Sequence, residues 1–484
     1  MEKTYLSIQT TLIVTLIVGV FFVALGYINS RKTPDNNKSH IVGDRNEGIF
    51  SLTTSLSASA LGAWILFGPA SAATWGGIGA VLGYALGTAA PMLFLLNFGP
   101  KIRKEFPNGM SLTEFVKKRF GLGILKIILF LILFYLTIFL IAEVTAIAFL
   151  LNLISRTPLW ATAGLTLIIC LLYILKGGFK LSIITDKYQF IIIALMIVLS
   201  LSLTLGNMEI NSFKLIKEKS PILLSKNYIP NYTAGLTFFM AVAATNLFHQ
   251  GNWQRVFAAK NNFILKKSLI YSAIITFLIV LWMGYSGLIA FSLDSKINPD
   301  LAFFYLILSN ENFLIIISIL VLALALTLST IDTLINAITS LIIIDGKKIS
   351  KSLNGKKIKE KANKLILFLS AVVLIFASKG FSILYLFLLA DLLCCAAVVT
   401  VFYGFINKKI NLRLASFSIL FGLIFGLLFF PDQSFQSSLL VGNILSKEIF
   451  SEFISSNLLF ISFALSLIAP LLIITIYSFR SSFK

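Results

Sequence analysis

Runs of about twenty apolar residues, nearly free of charge, recur along the whole chain and leave room for few folds other than a bundle of membrane helices. They lie near residues 8–28, 50–72, 76–99, 122–153, 157–175, 182–205, 234–250, 264–292, 312–344, 364–379, 381–406, 413–430 and 456–479. Composition supports that reading. With 58% hydrophobic residues among 484 and a mean hydropathy of +0.93, a soluble domain would have no polar surface to offer water. The sequence therefore predicts an all-α polytopic membrane protein with 13 transmembrane helices. The first run is too long for a signal-peptide core and no small-residue cleavage site follows it, so it counts as a span.

The net charge of +20 could suggest nucleic acid as a partner, but its placement argues otherwise. With the N-terminus outside, 31 of the 40 Lys and Arg fall on the inner face, in loops such as Lys101–Arg119 and Asp345–Lys364. That bias is the positive-inside pattern, and it predicts N-terminus out, C-terminus in, in the plasma membrane. Outside the spans, Ser111-x-x-Glu114 opens a short cytoplasmic helix with a capping-box pattern. Pro299–Asn310 is too short to span, and Asn207–Tyr232 reads as an extracellular loop. Cys170, Cys394 and Cys395 sit in apolar runs, and with only His40 and His249 as imidazoles neither a disulfide framework nor a zinc site is indicated. No segment offers a nucleophile–base pair or a nucleotide-binding motif, so an enzyme is not expected and no organic cofactor is implied.

Within the spans the polar residues are few and placed. Ser51–Gly79 carries no charge, yet Ser, Thr, Gly and Ala interrupt it repeatedly, and Gly68-Pro69 should break its helical ladder. Freed carbonyls at membrane depth persist only inside protein or beside a wet cavity, where cations and solutes bind. A second short, interrupted span opens five runs later and leads into Asn246, His249, Gln250, Gly251 and Asn252. Two such spans five apart fit a five-plus-five inverted repeat, with blocks at 50–205 and 234–406 in a single transporter domain flanked by an extra helix at 8–28 and two at 413–479.

Thr327–Ser340 is the densest polar stretch, with Ser329, Thr330, Asp332, Thr333 and Asn336 near one another on a helix. Its hydroxyl and carboxyl oxygens could replace the water of a hard monovalent cation, or could form a helix–helix hydrogen-bond seam. Asp186 sits at a span boundary beside Lys187, where a surface ion pair is the plain alternative. Glu143 and Asp391 lie mid-span, open to a structural or a transport role. His249 reads as a hydrogen-bonded helix-end residue, Arg255 as an inner-loop charge, and Trp64 and Phe67 as an aromatic wall or as packing.

These stretches carry a resemblance. ALGAWILFGPASAATWGGIGAVLGYALG, FPNGMSLTEFVKKRFG, GGFKLSIITDKYQF, NWQRVFAAKN, TLSTIDTLINAITS and ADLLCCAAVV, in this order, resemble the sodium:solute symporter family, relatives of the sodium/proline, sodium/glucose, sialic acid and urea active transporters. The tryptophan-containing NWQRVFA with ADLLC leans slightly towards the urea transporters. The resemblance implies a LeuT-type inverted-repeat fold and sodium-coupled import of a small polar organic solute by alternating access, in a protein functional as a monomer. It implies a sodium site made by the carbonyls of Ala58, Leu61 and Leu326 with the hydroxyls of Ser329 and Thr330. Asp186, Asp332 and Thr333 would form a second ion site or an exit to the cytoplasm. The substrate-pocket candidates are Trp64, Phe67, Glu143, Asn246, His249 and Asp391. Ala60 stands where proline symporters carry an Asp, which makes a strict proline-symporter mechanism a poor match. A solute sensor and a passive channel or facilitator are the other functional classes open to such a chain.

Overall fold

In the computed structural model, the residues described are 4–30, 41–206, 211–308, 312–349, 355–406, 410–441 and 452–480. The segments 31–40, 350–354, 407–409 and 481–484, which carry part of the charge expected on the inner face, lie outside them. So do 207–210 and 309–310, at the edges of the two expected outer segments.

Long apolar segments without water to bond must satisfy their own backbone, and they do so as helices. In chain order these are α1 (Ile8–Ser30), α2 (Ile49–Ala60), a 3-10 turn (Ala63–Leu66), α3 (Gly68–Glu105), α4 (Leu112–Ser155) and α5 (Leu159–Gly206). The short α6 (Ser212–Lys219) and a 3-10 turn (Pro221–Leu224) follow, then α7 (Ile229–Phe248), α8 (Gln250–Ala258) and α9 (Asn262–Leu293). After a 3-10 turn (Pro299–Leu301) come α10 (Ala302–Leu308), α11 (Phe313–Ile349), α12 (Gly355–Ala377), α13 (Ile383–Ile406), α14 (Leu412–Phe429), α15 (Glu452–Ser456) and α16 (Leu458–Arg480).

The expected count of thirteen spanning helices needs correction. Among the described residues nine helices are long and apolar enough to cross a membrane. The four runs that drop out are those at 50–72, 157–175, 234–250 and 364–379. In the first, the backbone leaves the helix after Ala60, so α2 has only 12 residues before the 3-10 turn begins. The second is a shorter apolar helix, Leu159–Leu175, ahead of a break at Gly178 (φ 57°). The third lies mostly in α7, whose first turns carry Pro230, Asn231, Tyr232 and Thr233 and which ends at Phe248. The fourth begins inside the Lys-rich start of α12. Sliding hydropathy cannot see that a helix ends inside the protein, because a buried backbone break costs no apolar residue.

The break also falls elsewhere than at Gly68-Pro69. Pro69 sits in the first turn of α3, where its missing N–H has no intrahelical acceptor to lose. The interruption is at Leu61 (φ −103°, ψ 87°) and Gly62 (φ −90°, ψ −174°). The Ser111–Glu114 capping box is present at the start of α4, whose first helical stretch ends at Gly121 (φ 83°).

Small residues bring α3, α7 and α9 into backbone contact. A Cβ on Gly79 would lie 1.6 Å from the Asn231 carbonyl oxygen, one on Gly83 2.1 Å from that of Gly235, and one on Gly287 2.1 Å from that of Ala70. In lipid there is no hydrophobic drive to pair helices, so such close packing supplies the association. The broken α2 is held in the middle, between α9, α5 and α11.

A broken helix, a buried ion-pair cluster and two stacked chambers

Because α2 stops at Ala60, the carbonyls of its last turn have no complete set of i+4 amides. Leu61 N–H turns back to Ser57 O (3.1 Å) and Ala58 O (3.3 Å). Across from this end stands Glu143 on α4. Its Oε2 accepts the Ala63 N–H at 2.8 Å, which satisfies one amide of the turn, while Oε1 is buried with no hydrogen-bond partner among the described residues. Gly62 is where these groups meet: a Cβ there would lie 2.2 Å from Glu143 Oε1 and 2.8 Å from Thr330 Oγ1. Only a glycine lets the break, the α4 carboxylate and the α11 hydroxyl come this close.

Ser329 and Thr330 face this region from α11. Thr330 Oγ1 donates to Leu326 O at 3.1 Å, and Ser329 Oγ donates to Asp186 Oδ1 at 2.8 Å. Asp186, on α5, also accepts from Ser55 Oγ on α2 at 2.5 Å. It is fully buried and paired with an equally buried Arg255 from α8, Nη2 to Oδ2 2.8 Å. The boundary position beside Lys187 suggested a surface pair, and Arg255 an inner-loop charge. Neither description fits these side chains.

The guanidinium is held from every side. Its Nε donates to Ser55 Oγ (2.8 Å), Nη1 to Gly251 O (3.0 Å), and Nη2 to Thr333 Oγ1 (3.2 Å), while Phe179 lies beneath it at 5.5 Å. A buried charge is tolerated only when paired and hydrogen-bonded, and here both conditions hold. Asp332 lies next to the pair but takes other donors: Ser182 Oγ at 2.7 Å, Tyr173 OH at 3.0 Å and Thr185 Oγ1 at 3.3 Å. Asp186, Asp332 and Thr333 are thus in one cluster, with Arg255 as its cation.

Of the pocket candidates, Trp64, Asn246, His249 and Asp391 line one small cavity of about 40 Å³, together with Thr330. Asp391 Oδ1 accepts from Thr245 Oγ1 at 2.7 Å. His249 caps α8 by accepting the Gly251 N–H on Nδ1 at 3.1 Å. Trp64 stacks on Tyr84 with ring centroids 5.8 Å apart, and Tyr84 on Phe238 at 4.2 Å. Phe67 is not in the cavity; it packs against Phe149 and Phe304. Glu143 is not in it either and serves the turn at Ala63.

Sequence reasoning missed Ser55, Thr245 and Tyr84, and misread Arg255. Ser55 is one serine among several on a small-residue span, and Thr245 is one hydroxyl on an apolar helix beside the more polar Asn246. A legible hint did exist for Arg255. Its short helix is otherwise uncharged, and a lone Arg flanked by Trp253, Val256 and Phe257 is an uneasy surface residue.

A second, larger chamber of about 460 Å³ opens beyond the first. Ser71 and Trp75 of α3, Thr233 and Thr237 of α7, and Asp300 contribute to its wall. Ser71 Oγ donates to Asp300 Oδ1 at 3.1 Å. Burial lifts the Asp300 carboxyl above the ordinary carboxylate range, against the Ser71 bond that lowers it.

A helix broken inside the protein beside buried polar oxygens, with a small and a larger cavity next to it, fits a secondary transporter. The chain belongs to the sodium:solute symporter family, whose model matches residues 40–422. It is a sodium-coupled transporter of a small polar organic solute, a multi-pass membrane protein and not an enzyme. In sequence it is similar to the spermidine transporter DUR31 of Candida albicans, 26% identical over 387 residues, 79% of this chain and 72% of that one. In structure it is similar to a sodium-coupled sialic acid symporter in its substrate-bound outward-open state, with a TM-score of 0.74, 16% identity and 96% of each chain covered. It is also similar to a nucleobase-cation-symport-1 family transporter in a closed conformation, with a TM-score of 0.56, 16% identity and 91% and 93% covered. Those likenesses carry the LeuT-type inverted-repeat architecture.

Proposed function

We propose that the protein imports its solute by alternating access, with one sodium ion bound between the end of α2 and α11. The carbonyls of Ala58, Leu61 and Leu326 and the hydroxyls of Ser329 and Thr330 are its ligands in this reading. The observation that carries it is the close approach of the α2 break, through Gly62, to Thr330. Carbonyls left without amides at buried depth are suited to a hard cation. Asp186 takes the ion on its way to the cytoplasm, since it bonds Ser329, the neighbour of Thr330 at the break. The two repeats are residues 50–205 and 234–406, acting in a monomer in the plasma membrane with the N-terminus outside. The group of α3, α7 and α9, packed through glycines, rocks together with α2 against α4, α5, α11 and α12.

The small cavity supports alternation rather than a channel, because a continuous pore would not narrow to about 40 Å³ among Trp64, Tyr84, Phe139 and Phe387. The driving force suffices for concentrative uptake. One sodium ion descending 100 mV supplies roughly 2.3 kcal/mol, or about 40-fold accumulation before its own gradient is added. In proteoliposomes, uptake should require an inward sodium gradient and vanish when potassium replaces sodium. Uptake at the same rate in potassium refutes the coupling.

A further inference from the structure

The two chambers share a chemistry that narrows the solute. Each has one carboxylate in its wall, Asp391 in the inner and Asp300 in the outer, and neither is lined by a lysine or arginine among the described residues. His249, the remaining ionisable group of the inner cavity apart from Tyr84, accepts the Gly251 N–H on Nδ1, so it stands there as a neutral imidazole.

The chambers are also in line. Gly68 of the inner and Ser71 of the outer lie one turn apart on α3; on α13, Leu384 of the outer and Asp391 of the inner are two turns apart. At 1.5 Å per residue the latter step is about 10 Å. Tyr84 lines the inner cavity with its hydroxyl end against Gly68.

We infer that the solute is an organic cation, an amine whose ammonium head is captured at Asp300 and seats on Asp391 in the cavity walled by Trp64 and Tyr84. This rests on the symport reading above and names its substrate class. Asp391 is 5% exposed and has a single side-chain donor, Thr245, so it retains acceptor capacity at a depth where water is scarce. An ammonium group supplies both the donors and the countercharge. A cavity of about 40 Å³ takes one or two water-sized groups, which suits an ammonium head. A carboxylate solute would meet only like charge along this route.

The test uses purified full-length protein in proteoliposomes with an inward sodium gradient, and the same protein in detergent for thermal unfolding. The probes are propylammonium and 1,4-diaminobutane, the neutral isosteres propanol and 1,4-butanediol, and the anions butyrate and succinate. Sodium-dependent uptake and a raised unfolding temperature are expected with the amines alone. Asp391→Asn should weaken the amine response at least tenfold, with Asp391→Glu recovering part of it. Asp300→Asn should raise the half-saturating amine concentration several-fold. The sodium-induced rise in unfolding temperature identifies which variants keep their fold. Sodium-driven uptake of the alcohols or carboxylates, or no amine response in protein that sodium stabilises, overturns the cation assignment and leaves the symport reading standing. Amine uptake indifferent to sodium does the reverse.

Discussion

Arg255 shows what a single side chain can decide in this molecule. With the pair fully buried, the Coulomb gain is offset by the loss of water around two charges, and the net value of keeping both is small. Removing one is a different matter. Arg255→Met leaves Asp186 uncompensated and should lower stability by about 3–5 kcal/mol, read from chemical denaturation in mild detergent. Adding Asp186→Asn should restore a large part of that loss. A double variant as unstable as the single one would show that Arg255 matters through packing instead. Ser329 and Thr330 act at the same scale. Replacing both with Ala removes two oxygens from the proposed sodium site and should raise the half-saturating sodium concentration tenfold or more, equivalent to about 1.4 kcal/mol or above. Sodium activation curves that superimpose on wild type would remove those hydroxyls from the site.

At the scale of elements, the controlling contacts are between backbones. The α3 glycines matter because α7 has no side chain to move out of the way: the atom opposite Gly79 is the Asn231 carbonyl oxygen, and opposite Gly83 that of Gly235. Gly83→Ala should therefore separate α3 from α7 and sharply reduce the yield of folded protein, measured by monodisperse recovery on size exclusion. Gly123→Ala is the useful contrast, since its Cβ would meet the flexible Leu412 side chain at 2.9 Å. Equal losses for both would mean that close α3–α7 packing is not the cause. The break after α2 belongs to this scale too. Gly62→Ala places a methyl onto Glu143 and Thr330 and should impair sodium-dependent uptake even in protein that folds.

For the whole molecule, orientation and motion are the properties at issue. Cys170, Cys394 and Cys395 are all buried, so introduced cysteines can be labelled against little background. With the N-terminus outside, Lys226→Cys should react with a membrane-impermeant maleimide added to intact cells, and Lys118→Cys only after permeabilisation. The opposite pattern rejects the proposed topology. The cluster of Ser55, Asp186, Ser329, Thr333 and Arg255 ties α2, α5, α8 and α11 together, so any rocking of α2 against α5 must strain or release these bonds.

Much of this could be read from the order of residues alone. An apolar run of twenty residues has no soluble solution, so membrane helices followed from hydropathy. A small-residue span without charge, an Asp amid hydroxyls near Ser329, and six motifs in order were enough to reach the sodium:solute symporter family. Those signals are local, and local periodicity preserves them. What the tertiary structure decided was non-local. The helix ends at Leu61 and not at Pro69 because Glu143, 80 residues away, accepts the Ala63 N–H there. Arg255 leaves the loop because Asp186, 69 residues earlier, supplies its countercharge. Glu143 serves the turn while Asp391 faces the cavity, although both read as lone mid-span carboxylates. A residue's type sets which partners it needs in a medium without water; only the packing of distant helices determines which of them it gets.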